Sequence, residues 1–173
     1  MRAVLFSILA ISSLFAQSAK TESPWAPLSF LLGEWTGEGG GQPGQGSGTF
    51  SFLPDLNEKI LVRKNRSDYP ATKDRPAFTH TDLMTIYREP GAVKFRAIYF
   101  DTEDHVIHYT VEPSADGQVV QFIGDSSPAN PRFRLTYRKT GADTLSIRFE
   151  IAMPVKPDAF TTYIEATARR ISH

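Results

Sequence analysis

Beyond the glycine-rich stretch 37–48, apolar side chains recur at every second position, and this period governs what the chain can become. Phe133, Leu135 and Tyr137 alternate with Arg132, Arg134, Thr136 and Arg138, and Leu145, Ile147, Phe149 and Ile151 alternate with Ser146, Arg148 and Glu150. Successive side chains of a strand point to opposite faces, so these runs read as half-buried strands. Less regular runs cover 49–53, 59–66, 82–88, 93–101, 105–112, 118–124 and 160–170. With the stretch around Trp35 they predict about ten strands.

The connections Glu89-Pro90-Gly91, Asp101 to Asp104, Ser114-Ala115-Asp116-Gly117 and Thr140-Gly141-Ala142-Asp143 are short and rich in turn residues, which favours consecutive antiparallel hairpins. Two longer gaps, Ser67 to Thr81 and Met153 to Asp158, contain prolines. No helix-length 3.6-residue pattern and no internal repeat intervenes. Near the start, Pro27 opens and Gly33 stops a single short helical turn. An all-β chain with so little helix must close or fold into two layers to hide its strand edges. The expected architecture is an up-and-down antiparallel β-barrel of about ten strands with a short N-terminal helix; a β-sandwich is the alternative.

Met1-Arg2, the apolar or small run Ala3 to Phe15 and the small residues Ala16-Gln17-Ser18-Ala19 read as a secretory signal peptide over 1–19, followed by one domain, 20–173. The run is shorter than the roughly 20 residues a bilayer-spanning helix requires. An exported, periplasmic or secreted protein with no integral membrane segment after processing is therefore expected. Removing 1–19 takes away one Arg and no acid, which leaves 18 basic and 19 acidic residues and a formal charge of −1. Such balance gives no global attraction to nucleic acid or anionic membrane. The 173-residue chain has no cysteine, so disulfides, thiolate metal sites and cysteine nucleophiles are excluded. Asn65-Arg66-Ser67 is a glycosylation sequon that matters only in a glycosylating pathway.

Leu31-Leu32-Gly33-Glu34-Trp35-Thr36-Gly37-Glu38-Gly39 resembles the opening of calycin-type barrels, in which a short helix leads into Gly-x-Trp on the first strand. In lipocalins a basic residue of the last strand packs across the indole, which here implies structural roles for Gly33, Trp35 and Arg169, or its neighbour Arg170. The wider phrase resembles the nitrobindin type of haem-binding barrel. Arg134 to Lys139 with Asp143 to Arg148 resembles uncharacterised bacterial lipocalin-like exported families. Nitrobindins use a final-strand histidine as haem ligand, and Thr161 to Ala168 contains none. Tyr163 is the alternative ligand by chemistry, but it reads as a barrel-wall tyrosine, and no cofactor is expected.

Candidate ligand contacts are Arg96, Arg134 and Arg148 within strands, with Arg63 and Arg132 nearby, and Tyr99, Tyr137 and Tyr163, with Tyr87 and Tyr109 as further candidates. The plain reading turns the arginines to solvent. The other reading borrows from fatty-acid-binding relatives, where Arg and Tyr form a polar floor and the guanidinium fork matches two oxygens of an anion. His105 and His108 fall on opposite strand faces and cannot share an ion without a bulge, so no metal is expected. His80 and Asp82 share a face, but the preceding loop suggests a solvated edge. The leading functional expectation is a non-catalytic barrel that binds a small apolar or amphiphilic ligand. One alternative is a barrel isomerase or decarboxylase using Glu150 or Glu165 with Tyr and Arg. The other is an envelope interaction module whose partly apolar outer face meets a partner, a homodimer included. The glycine-rich segment lacks the features of a phosphate loop and reads as a hairpin at the barrel mouth, a candidate gate.

Overall fold

In the computed structural model the described residues are 23–39 and 46–172; the signal-peptide segment, residues 40–45 of the candidate gate and His173 lie outside them. A six-residue 3-10 turn, Ala26–Leu31, carries a proline in its first positions and ends at Leu32. Ten antiparallel strands follow: β1 Gly33–Gly39, β2 Ser47–Asp55, β3 Ile60–Tyr69, β4 Phe78–Arg88, β5 Phe95–Asp101, β6 Val106–Pro113, β7 Val119–Gly124, β8 Arg132–Lys139, β9 Thr144–Ala152 and β10 Thr161–Arg170. Each pairs with its sequence neighbour and β10 pairs with β1, so the sheet is a closed barrel and the sandwich alternative is excluded. Closure removes the exposed edges that a ten-stranded open sheet would leave.

The up-and-down order puts the starts of β1, β3, β5, β7 and β9 at one end of the barrel and the starts of the even strands at the other. The first end is plugged. Trp25, Leu28, Leu31 and Trp35 are buried there, Trp25 stacks on Phe95 at 5.6 Å, and the Trp35 indole N–H donates to the Leu31 carbonyl at 2.8 Å. The basic partner of Trp35 is Arg170, whose guanidinium lies 4.2 Å from the ring centroid; Arg169 is exposed on the outer side of β10. Alternation separates these two neighbours, because only one of two consecutive strand residues faces inward. Arg170 also donates to the Phe30 carbonyl at 3.1 Å and to that of Leu32, tying the last strand to the turn. Gly33 stands between them at φ +111°, and a Cβ there would sit 2.8 Å from Arg170 Nη1. Both its conformation and its space require glycine.

Above the plug, Phe50, Phe52, Tyr109, Phe122 and Tyr137 pack through mostly edge-on contacts with centroids 5.4–6.2 Å apart and fill the middle of the barrel. The far end is not filled. Strands β3 and β4 run further toward it than alternation predicted, because Arg66 to Tyr69 and Phe78 to Thr81 pair as Arg66 with Thr81, Ser67 with His80, Asp68 with Thr79 and Tyr69 with Phe78. These residues are mostly polar, so the period-two signal is weak there. Pairing is sustained instead by the Tyr69–Phe78 stack at 4.5 Å and by Arg66 and Thr79 bonding to Asp68. On the outside, Leu83, Phe100 and Val106 form a short row of exposed apolar side chains in cross-strand register. No helix among the described residues is long and apolar enough to cross a membrane.

Candidate functional site

The unfilled end holds a cavity of about 440 Å³ bounded by inward residues of β1 to β6 and β8 to β10. One wall is apolar: Ile107, Phe133, Leu135, Ile147, Phe149 and Ile151 come from β6, β8 and β9. The opposite wall, from β3 to β5, carries Arg63, Asn65, His80, Asp82, Tyr99 and Asp101. Register explains this grouping: Asn65 pairs with Asp82 and Asp82 with Asp101, while Ser67 pairs with His80 one step nearer the mouth. Three neighbouring strands thus bring their polar inward positions to one patch.

The patch is a connected network. Arg63, 7 % exposed, donates from Nε to the Tyr137 hydroxyl at 2.8 Å and from Nη1 to Asp82. Asp82 also accepts from Asn65 Nδ2 at 2.8 Å and faces His80 Nε2 at 3.3 Å. Tyr99 bridges His80 Nε2 and Asp101 Oδ2, each at 3.2 Å from its hydroxyl oxygen, and His105 Nδ1 meets Asp101 at 2.8 Å. Burial pushes the Arg63 pKa down, but the Asp82 carboxylate and the Tyr137 and Tyr99 oxygens outweigh it and raise it overall. His80 is raised above its ordinary value, chiefly by its bond to Asp82 and further by Glu103, so the imidazolium is favoured. Burial raises the phenols of Tyr99 and Tyr109, which keeps both hydroxyls protonated as donors at neutral pH.

Two donors of the floor remain open, along with one acceptor beside them, Asn65 Oδ1, since both Asn65 bonds are made from Nδ2. Arg63 Nη2 and the Tyr109 hydroxyl have no hydrogen-bond partner among the described residues. Both residues line the cavity, Arg63 with 7 % and Tyr109 with 1 % of its surface exposed.

His80, Asp101 and Glu103 are the one group among the described residues that resembles a metal-ligand set, with ligand atoms within 4.8 Å of one another. His80 Nδ1 lies 3.2 Å from Glu103, and its Nε2 lies 3.3 Å from Asp82, which is outside that group.

Of the sequence candidates, Tyr99, Tyr137 and Tyr163 belong to the barrel interior or its rim: Tyr99 lines the cavity, Tyr137 is buried beneath it against Arg63, and Tyr163 lies at the mouth, 45 % exposed, edge-on to Phe149. The three arginines face outward, as the plain reading had it. Arg96 forms a fork to Asp125 at 2.6 and 3.2 Å, Arg134 grips Glu150 at 2.6 and 2.8 Å, and Arg148 bonds Glu165 at 2.9 Å. Arg132 likewise bonds Asp158 at 2.6 Å. Glu150 and Glu165, the carboxylates expected for acid–base work, are engaged on that outer face, and Tyr87 is half-buried opposite Arg96. His105 lines the cavity mouth while His108 is exposed on the other face, so the two histidines do fall on opposite sides.

His80 is not on a solvated edge but on an inward position of β4. Asn65 is read from sequence only as part of a glycosylation sequon, Asp101 and Glu103 only as turn residues, and Arg63 only as a neighbour of the candidate arginines. A sign was present: Arg63, Asn65, Ser67 and Tyr69 share the parity of Leu61, and His80 and Asp82 share that of Met84 and Ile86. Extending the buried face of each strand past its last apolar residue would have found them. No family model matches the chain, and no curated protein matches it.

Proposed function

We propose that this protein is an exported, lipocalin-like barrel that binds one small amphiphilic molecule in the open half of its interior, without a cofactor and without chemistry of its own. The observation that carries this reading is the cavity of about 440 Å³ with one apolar and one hydrogen-bonding wall, a size and lining typical of small-molecule sites. A ten-stranded barrel is wider than the eight-stranded barrels whose interiors side chains nearly fill. The aromatic layer and the plug fill only part of that width, and the remaining volume faces the mouth. The Gly33–Trp35–Arg170 arrangement supports the calycin likeness. The N-terminal apolar run supports export.

The test is titration of the purified protein with Nile red, a neutral solvatochromic dye. Saturable one-to-one binding with blue-shifted emission is expected. Ala166, half-buried on β10 and lining the cavity, offers a filling variant. Ala166→Trp with an unchanged far-ultraviolet spectrum is expected to lose binding at least tenfold. Binding that is absent in the native protein, or unaffected in a folded Ala166→Trp, overturns the reading.

A further inference from the structure

We infer that the floor of the cavity selects an uncharged hydrogen-bond-accepting head group, such as a carbonyl, ester or alcohol oxygen, over a carboxylate or an ammonium group. The inference rests on the ligand-binding reading above and names the class of ligand.

Three features of the floor carry it. First, beside the Asn65 Oδ1 acceptor on the next inward position of β3, the floor offers two donors, Arg63 Nη2 and the Tyr109 hydroxyl, and the phenol stays protonated. A ligand meeting them must present an acceptor. Second, the cations of the floor are already matched, the His80 imidazolium by Asp82 and Glu103, and Arg63 by Asp82. Both the Arg63 and the Asp82 side chains are less than a tenth exposed. A carboxylate entering beside Nη2 would shed its water to meet a guanidinium whose countercharge is in place, and would face the Asp82 carboxylate across that same group. Desolvating an anion without a free countercharge is unfavourable, whereas a neutral oxygen loses far less on entering and still gains a charge-assisted bond. Third, the Asp82 charge is already matched by Arg63 and the His80 imidazolium, and the carboxylate also accepts from Asn65, so it offers a cationic head no unpaired charge. Nearer the mouth, Asp101 and Glu103 add two more carboxylates to the lining against Arg75, whose guanidinium lies 3.9 Å from the Phe78 ring centroid, and the His80 imidazolium. The path to the floor is therefore not an electropositive funnel for acids.

The bound molecule lies with its acceptor oxygen on Arg63 and Tyr109 and its apolar body along Ile107, Phe133, Leu135, Ile147 and Phe149. A chain of ten carbons suits a cavity of this size. Competition against Nile red with decan-1-ol, methyl decanoate, decanoate and decylamine at pH 7, each below its aggregation threshold, holds the chain constant and varies only the head. The alcohol and the ester are expected to displace the dye at concentrations at least tenfold lower than the acid or the amine. Decanoate or decylamine competing as well as the neutral heads overturns the inference while leaving the cavity reading intact. Failure of Nile red to bind overturns the cavity reading, and the inference falls with it. Asp82→Asn removes the countercharge and keeps the shape, so in this variant decanoate is expected to gain at least tenfold relative to methyl decanoate. A folded Asp82→Asn protein that keeps the native order also overturns the inference. Tyr109→Phe provides a second measurement if Asp82→Asn does not fold: all oxygen-bearing heads weaken several-fold, with the neutral ones still ahead. Unchanged affinity for the alcohol and the ester in this variant counts against the assigned floor.

Discussion

Arg63 and Asp82 are buried as a pair, and that burial sets what each is worth alone. Removing one partner leaves an uncompensated charge in the barrel. Asp82→Ala is therefore expected to cost about 3–5 kcal/mol, whereas Arg63→Met combined with Asp82→Leu costs less than the single change, because an apolar pair carries no desolvation penalty. Urea unfolding of the three proteins checks this; a double variant less stable than Asp82→Ala would show that the pair is net stabilising. Such a pair, retained where an apolar one would serve, fits a residue kept for what it presents to the cavity. Sequence exposed only half of this. Arg63 and Arg134 both lie in alternating strands, yet one faces in and the other out. The difference is parity relative to Leu61 in β3 and to Leu135 in β8, and it becomes visible only when the buried set of each strand is known.

Within the strand pair β8–β9, cross-strand register places Arg134 directly opposite Glu150, and the outward carboxylate is covered closely enough to be only 6 % exposed. The guanidinium fork lowers the Glu150 pKa through its hydrogen bonds, against an opposing effect of burial. A carboxylate lowered in the folded state contributes stability that is present above its unfolded value near 4.5 and is lost as pH falls through the lower folded value. Glu150→Gln is expected to flatten the acid side of the stability curve between pH 5 and pH 3 and to lower stability at pH 7, with a guanidinium titration at each pH as the measurement. An unchanged acid limb would assign no linkage to this pair. The strand pair β3–β4 shows the opposite balance between local pattern and pairing. Its outer halves carry weak alternation, yet nine residue pairs continue to Tyr69 and Phe78 because stacking and side-chain bonds replace apolar burial there. That extension lifts His80 off the expected edge and into the cavity wall.

Over the whole molecule, one residue joins three parts that the chain order keeps apart. Arg170 on the last strand covers Trp35 of the first, bonds the carbonyls of Phe30 and Leu32, and reaches Asp143 at the β8–β9 turn. Cation–π contact contributes about 0.5–2 kcal/mol, and each charge-assisted bond to a carbonyl about 1.5–3 kcal/mol. Arg170→Ala is expected to destabilise the barrel by about 2–4 kcal/mol and to raise hydrogen exchange first at the Trp35 and Leu32 amides. Arg169→Ala, on the outer face, is expected to change stability by less than about 0.5 kcal/mol. Equal losses in the two variants would remove Arg170 from this role.

The sequence by itself determined the strands, their antiparallel order, the helical turn, the Gly33–Trp35 corner and the near-neutral charge, because each depends on residue period, turn chemistry or composition over a few neighbours. It also placed Tyr99, Tyr137 and Tyr163 on strands that meet the barrel interior or its mouth. Only the tertiary structure decided that Arg63 rather than Arg96, Arg134 or Arg148 turns inward, that Arg170 rather than Arg169 covers the indole, and that His80, Asp82, Tyr99 and Asp101 meet. Those outcomes depend on which face of each strand looks into a closed sheet and on register between strands brought together by closure. A single residue of slip reverses the first and misaligns the second, so parity along one strand points to Arg63 and His80 as candidates but does not bring them together.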